Sequence, residues 1–193
     1  MKKIMMGLLS LLLGLGLLHA AGNGDTFTLN TVDGKTLHVQ GTENGLLFKE
    51  LKGKVVFVEF WGTHCPPCLM SIPHYIDLTK KYGDKMAMVA IEVQGTTEAQ
   101  LKAFAQQKGM NYNIVPQRKA MDFVNYVARR AGWKGSIPFL MILDQQGNFV
   151  TAQVGLLPED ALAGVIKELD KIQKKKASQA APASGDKAPA SAK

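Results

Sequence analysis

Cysteine is almost missing from this chain: its 193 residues hold two, Cys65 and Cys68, three positions apart. A small scaffold stapled by several disulfides is therefore excluded. There is no second Cys-x-x-C pair, and no histidine follows His74. No internal repeat is present. The longest apolar run, Ile4–Leu18, falls short of the ~20 residues that comfortably span a bilayer. A basic groove for nucleic acid is missing too, although the formal net charge is +7. Lys2 and Lys3 open the chain, and residues 165–193 carry seven Lys against three acids. The stretch between, 23–164, has 14 basic and 13 acidic residues. The charge belongs to the two ends, so no nucleic-acid partner is expected. What remains is 46% hydrophobic and 20% charged, the balance of one globular domain with a sizeable core.

The ends have their own signatures. A positive start, the apolar run and the small residues Ala20, Ala21 and Gly22 read as a secretory signal over 1–22. The alternative is an uncleaved anchor, the one way this chain would contact a membrane directly. No Cys follows the run, so a lipid anchor on Cys is not expected. Residues 177–193 are Ala, Ser, Pro, Gly, Gln, Lys and one Asp, too polar to offset their ordering entropy, and read as a disordered tail. The folded domain is expected over 23–176, in an oxidising, extracytoplasmic space.

Within it, Phe27-Thr-Leu29 and Leu37-His-Val39 alternate on either side of Asp33-Gly34, a two-residue hairpin signal. Leu46–Leu51 reads as a short helix ending in Gly53. Val55–Phe60 is apolar at five of six positions, as a strand buried on both faces would be. A helix is expected from about Cys65 to Tyr82, bent by Pro73 and ended by Gly83. Then come a buried strand over Met86–Val93 and a helix capped by Thr96 or Thr97 and ended by Gly109. A strand at Tyr112–Val115 and a helix at Met121–Ala131 follow. Phe139–Leu143 and Phe149–Val154 form a hairpin, and a last helix opens at Pro158. This order predicts an α/β fold, a mixed central sheet flanked by helices with an N-terminal β-hairpin.

The chemistry-bearing segment is Trp61-Gly-Thr-His-Cys-Pro-Pro-Cys68. Two cysteines at this spacing could be a structural disulfide, half a metal site or a redox pair. Closing so small a loop removes only about 2 kcal/mol of unfolded-state entropy. A tetrahedral metal would need two more ligands, for which only His64 and His74 are near in sequence. The redox reading has a mechanism. The start of a helix favours a thiolate on Cys65, and Cys68, one turn further in, is placed to resolve a mixed disulfide. Neither a metal nor another cofactor is required. Pro66 and Pro67 supply no N–H to that thiolate.

Val55–Cys68 with Ser71-Ile-Pro73, the Gly53-Lys54 before the strand, Ser136-Ile-Pro138 and Asp144-Gln-Gln-Gly147 together resemble the TlpA/ResA-type branch of the thioredoxin-like proteins, over about residues 25–173. The resemblance implies a thioredoxin-like fold and a periplasmic thiol–disulfide oxidoreductase, in a branch that includes reductants serving cytochrome c maturation. Its implied partners are protein substrates with disulfides or thiols and a membrane protein that donates electrons. It makes Pro138 the cis-proline beside the disulfide, with backbone groups of Ile137 pairing with an extended substrate; the residues alone also fit a plain strand-start proline. Glu59 stands where such proteins often carry a buried acid, whose raised pKa would let it exchange a proton with Cys68. His64 stands where many relatives have Trp, and a protonated His64 would make the disulfide more oxidising. Trp61 is expected beneath the site, with packing its main role.

Two residues depart from the pattern. Ser71 occupies a place where these reductants usually have Glu, and Phe139 one where Thr is common after the cis-proline. Competing readings are an oxidase or isomerase, and a copper-binding assembly module. Residues 94–136 leave no room for the oxidase's inserted helical domain, and 23–45 are too few for a dimerisation domain. The CxxxC and distant His of the copper class are missing, and peroxidase chemistry does not suit the cysteine context.

Overall fold

The computed structural model describes residues 24–180; the expected signal over 1–22 and the tail beyond 180 lie outside the described residues. Eight strands and four helices follow one another: β1 (Thr26–Asn30), β2 (Thr36–Gly41), β3 (Leu46–Phe48), β4 (Val55–Trp61), α1 (Pro66–Tyr82), β5 (Met86–Glu92), α2 (Glu98–Lys108), β6 (Asn113–Pro116), α3 (Met121–Ala131), β7 (Phe139–Leu143), β8 (Phe149–Val154) and α4 (Glu159–Ala180). The main sheet runs β6-β5-β4-β7-β8. β4, β5 and β6 are parallel, whereas β7 is antiparallel to β4 and β8 to β7. This is the thioredoxin-like arrangement, with a mixed sheet, and β4 lies at its centre.

The amino-terminal unit is larger than a hairpin. Leu46–Phe48 is a strand, followed by a 3-10 turn at Lys49–Leu51, where a helix was expected. It pairs antiparallel with Val39–Gly41 and completes a β1-β2-β3 sheet. Leu46 and Phe48 are both buried and Leu47 less so, so alternate positions enter the core as a strand requires. The β1–β2 connection also differs. It spans residues 31–35, because buried Val32 docks on β6 and donates its N–H to the Ile114 carbonyl at 2.9 Å. The last helix continues to Ala180, past the expected limit at 176. Gly83 ends α1 with an ordinary right-handed φ of −63°. Glycine serves there through space, since the Thr79 carbonyl oxygen lies 2.6 Å from where a Cβ would stand.

Strand alternation distributes the core. Val55, Phe57 and Trp61 of β4 face the layer shared with Ile72, Tyr75 and Leu78 of α1 and Leu162 and Ile166 of α4. Val56, Val58 and Phe60 face the opposite layer, with the β1-β2-β3 sheet and Phe123 and Val127 of α3. Each fully buried Phe or Leu contributes about 1.5–3 kcal/mol, so these layers can tolerate one costly polar insertion. That insertion is Glu59. Its parity aims it with Phe57 and Trp61 into the layer beneath α1.

Candidate active site

The buried β4 strand ends at Trp61, and the chain turns through Gly62-Thr63-His64 into α1. Cys65 is the N-cap residue, in an extended conformation. Pro66 and Pro67 occupy the first two helical positions, where the missing N–H groups cost nothing. The first N–H the helix can present is therefore that of Cys68, and it points at Cys65 Sγ from 3.3 Å. The two cysteines are joined as a disulfide. They differ in access, Cys65 being 6% exposed and Cys68 fully covered. An incoming sulfur reaches Cys65 first.

Behind Cys68 lies a polar cluster. Glu59, 2% exposed, accepts at Oε1 from the Tyr75 hydroxyl at 3.0 Å and from Ser71 Oγ at 3.2 Å. Ser71 Oγ also lies 2.8 Å from the Cys68 carbonyl oxygen. Burial pushes the Glu59 carboxyl up to about 8, against the opposing pull of the Tyr75 and Ser71 hydrogen bonds. Burial also raises the Tyr75 phenol, with the charge of Glu59 adding to it, and it acts on Tyr112 the same way. The phenols therefore stay protonated, and Tyr75 remains a donor.

Ser71 and Tyr75 join the site in the tertiary structure, Ser71 from a place where the resembling family differs. Their signal was present in the helical spacing: positions 68, 71, 72 and 75 lie on one face of α1 and are all buried. Ser71 and Tyr75 are the two polar residues on that face that meet the acid on β4.

The remaining expected site residues differ in exposure and in partners. The Ile137–Pro138 peptide bond is cis. Ile137 is half-buried and directly precedes β7, whose pairing with β4 begins at Phe139 opposite Phe60. Pro138 is buried, and its carbonyl accepts from Gly155 N–H at 2.8 Å. His64 and Pro66 are exposed, and Pro67 is half-buried. Trp61, expected beneath the site, is 1% exposed. Its ring packs on Phe104, centroids 5.9 Å apart, so it supports the site from below. Phe139, the second departure, is buried against Phe60 and Trp133.

The domain around this site matches a known family over most of its length: the AhpC/TSA family model covers residues 23–152. The chain belongs to the AhpC/TSA family. Among curated proteins it is 27% identical over 144 residues to the thiol-disulfide oxidoreductase ResA of Bacillus thuringiensis (strain Al Hakam), covering 74% of each chain. It is 30% identical over 133 residues to the thioredoxin-like protein YneN of Bacillus subtilis (strain 168), covering 68% of this chain and 69% of that one. Among solved structures it resembles the thioredoxin-family thiol:disulfide interchange protein of Chlorobium tepidum TLS, with a TM-score of 0.60 and 24% identity over 76% of this chain and 94% of that one. It also resembles the exposed lipoprotein thioredoxin Etrx1 of Streptococcus pneumoniae strain TIGR4, with a TM-score of 0.58 and 25% identity over 75% and 99%. The protein is a thioredoxin-like thiol–disulfide oxidoreductase of the ResA type, with Cys65 and Cys68 as its CxxC pair. Among the described residues, no helix is long and apolar enough to cross a membrane.

Proposed function

We propose that this family member works as an exported reductant of protein disulfides, in the periplasm, with apocytochrome c as a substrate and a membrane protein as its electron donor. The observation that carries the reading is the pairing of a covered Cys68 with a buried acid whose carboxyl is raised to about 8. In the reduced state, the Cys65 thiolate attacks one sulfur of a substrate disulfide. The Cys65–substrate bond forms, the substrate S–S bond breaks, and the other substrate sulfur leaves as a thiolate. Cys68 then transfers its proton to ionised Glu59 and attacks Cys65 Sγ. The second substrate sulfur leaves, and the Cys65–Cys68 disulfide remains. The substrate is reduced by two electrons and the CxxC pair is oxidised by two. An ordinary thiol titrates near ~8.5, so an acid at about 8 is matched to accept its proton with little uphill cost.

Ile137 and cis-Pro138 support a place for the substrate chain. The ladder of β7 with β4 begins at Phe139, which leaves the Ile137 backbone outside that ladder. Exposed His64 and Pro66, with Pro67, would form the opposite rim. The signal-like first 22 residues support export.

The test is the reduction potential of the pair, measured by equilibrating residues 23–193 in thiol–disulfide buffers and trapping free thiols. A value well below about −200 mV is expected. A value near about −120 mV would assign the protein to disulfide donation instead.

A further inference from the structure

The mechanism above makes no use of Glu92, the second acid buried in the domain. It ends β5, is fully covered, and anchors the Gln94–Thr96 loop that faces the turn before Cys65. Both its oxygens are engaged by groups that can only donate: Gln94 N–H to Oε1 at 2.9 Å and Thr96 N–H to Oε2 at 3.0 Å. The Thr96 hydroxyl completes the set, 2.9 Å from Oε1. From there a line of hydroxyls leads outward. Thr96 Oγ lies 2.9 Å from Thr63 Oγ, and Thr63 Oγ lies 3.0 Å from His64 Nδ1.

Each threonine has one hydrogen to give, so the direction of the line follows from its inner end. The Thr96 hydrogen goes to the Glu92 carboxylate. Thr63 must then donate to Thr96, and its own oxygen can only accept. The group facing that oxygen is His64 Nδ1, which must carry a hydrogen. The opposite polarity would leave Thr63 Oγ and Thr96 Oγ facing each other with no hydrogen between them.

The same loop braces the His64 backbone, whose N–H donates to Gln94 Oε1 at 2.9 Å. That approach needs Gly62: the Gln94 side chain lies 2.2 Å from where a Cβ there would stand.

We propose that Glu92, Thr96 and Thr63 form a positioning line that fixes His64, the neighbour of the nucleophile, as its Nδ1–H tautomer. Nε2 is then the nitrogen through which His64 exchanges protons at the active-site rim. Glu92, Thr96 and Thr63 are positioning residues and touch neither sulfur nor substrate. The consequence for catalysis rests on the reading of Cys65 as the attacking thiol; the tautomer does not.

The test uses the oxidised protein labelled with nitrogen-15 at about pH 9, where a free imidazole is neutral. Long-range proton–nitrogen correlations report which ring nitrogen of His64 carries the hydrogen. Nδ1–H is expected in the wild type and in Thr63→Ser, which keeps the hydroxyl. In Thr63→Val, a near-isosteric change at a half-buried position, the Nδ1–H form is expected to be lost in favour of Nε2–H, the form an unconstrained side chain prefers. An Nε2–H ring in the wild type, or an unchanged Nδ1–H ring in Thr63→Val, overturns the proposal. Disulfide reduction by the same variants is the second readout: Thr63→Val is expected to lower kcat/KM about threefold, with Thr63→Ser restoring it. A tautomer that switches in a protein unable to reduce any disulfide supports the positioning line and overturns the reductant reading.

Discussion

The Tyr75 hydroxyl donates to Glu59 Oε1 at 3.0 Å, joining the middle of α1 to the centre of the sheet directly behind Cys68. The bond opposes the burial that raises the Glu59 carboxyl, so Tyr75 tunes an acid it does not otherwise resemble. A hydrogen bond to a charged acceptor is worth about 1.5–3 kcal/mol, or roughly one to two pH units of titration. Replacing Tyr75 with Phe should therefore move the Glu59-dependent limb of mixed-disulfide resolution upward by about one unit. Stopped-flow resolution rates measured across pH would show it; an unmoved midpoint would remove Tyr75 from the mechanism.

The unequal access of the two cysteines assigns their order of attack. Cys68→Ser should accumulate mixed disulfides through Cys65, visible on non-reducing gels and located by peptide mass spectrometry. Cys65→Ser should accumulate almost none, because Cys68 is fully covered. The reverse pattern would exchange the two roles.

Glu59 also ties stability to pH. In the unfolded chain it ionises near 4.5, and in the folded protein near about 8. Between those values the native state holds a proton that the unfolded state has lost, so stability falls as pH rises. The contribution of this group is full below 4.5 and is lost on rising through about 8. Urea unfolding of the oxidised protein should accordingly show lower stability at pH 8 than at pH 5. The fall should be largely missing in Glu59→Gln. A variant as pH-sensitive as the wild type would mean that Glu59 is not the linked group.

The serine at 71 has a specific partner to answer to. Placing a glutamate at position 71 would set a second carboxyl in a covered space already holding Glu59. Two such groups cannot both ionise cheaply. Ser71→Glu is expected to lose about 3 kcal/mol of stability at pH 8. Adding Glu59→Gln should recover at least half of that loss. A double-mutant cycle by urea denaturation measures the coupling; strictly additive effects would show that positions 59 and 71 act independently.

Much of this molecule is readable from the order of its residues, for reasons that are local. A helix that starts at Cys65-Pro-Pro announces itself because proline is favoured in the first turn. A threonine cap at 96 or 97, which the structure places at Thr97, and the mainly apolar runs of β4, β5 and β7 do the same. The cysteine spacing placed the redox chemistry, and the lone acid in β4 marked Glu59 out. Leu46–Phe48 was not readable in this way. Three residues have no measurable period, and their strand identity comes from Val39–Gly41, which they meet only after the chain has folded back. Ser71 and Tyr75 gain their meaning from an acid 12 and 16 positions away. Thr63 and Thr96 are 33 positions apart and meet only because β4 and β5 lie side by side. Most of the elements, though not β3, and the two reacting sulfurs are legible in the residue order, because propensity, capping and patterning act over a few residues. The polar partners that meet Glu59 and the His64 turn come from the tertiary structure, because burial and hydrogen-bond partners depend on strands and helices brought together from distant parts of the chain.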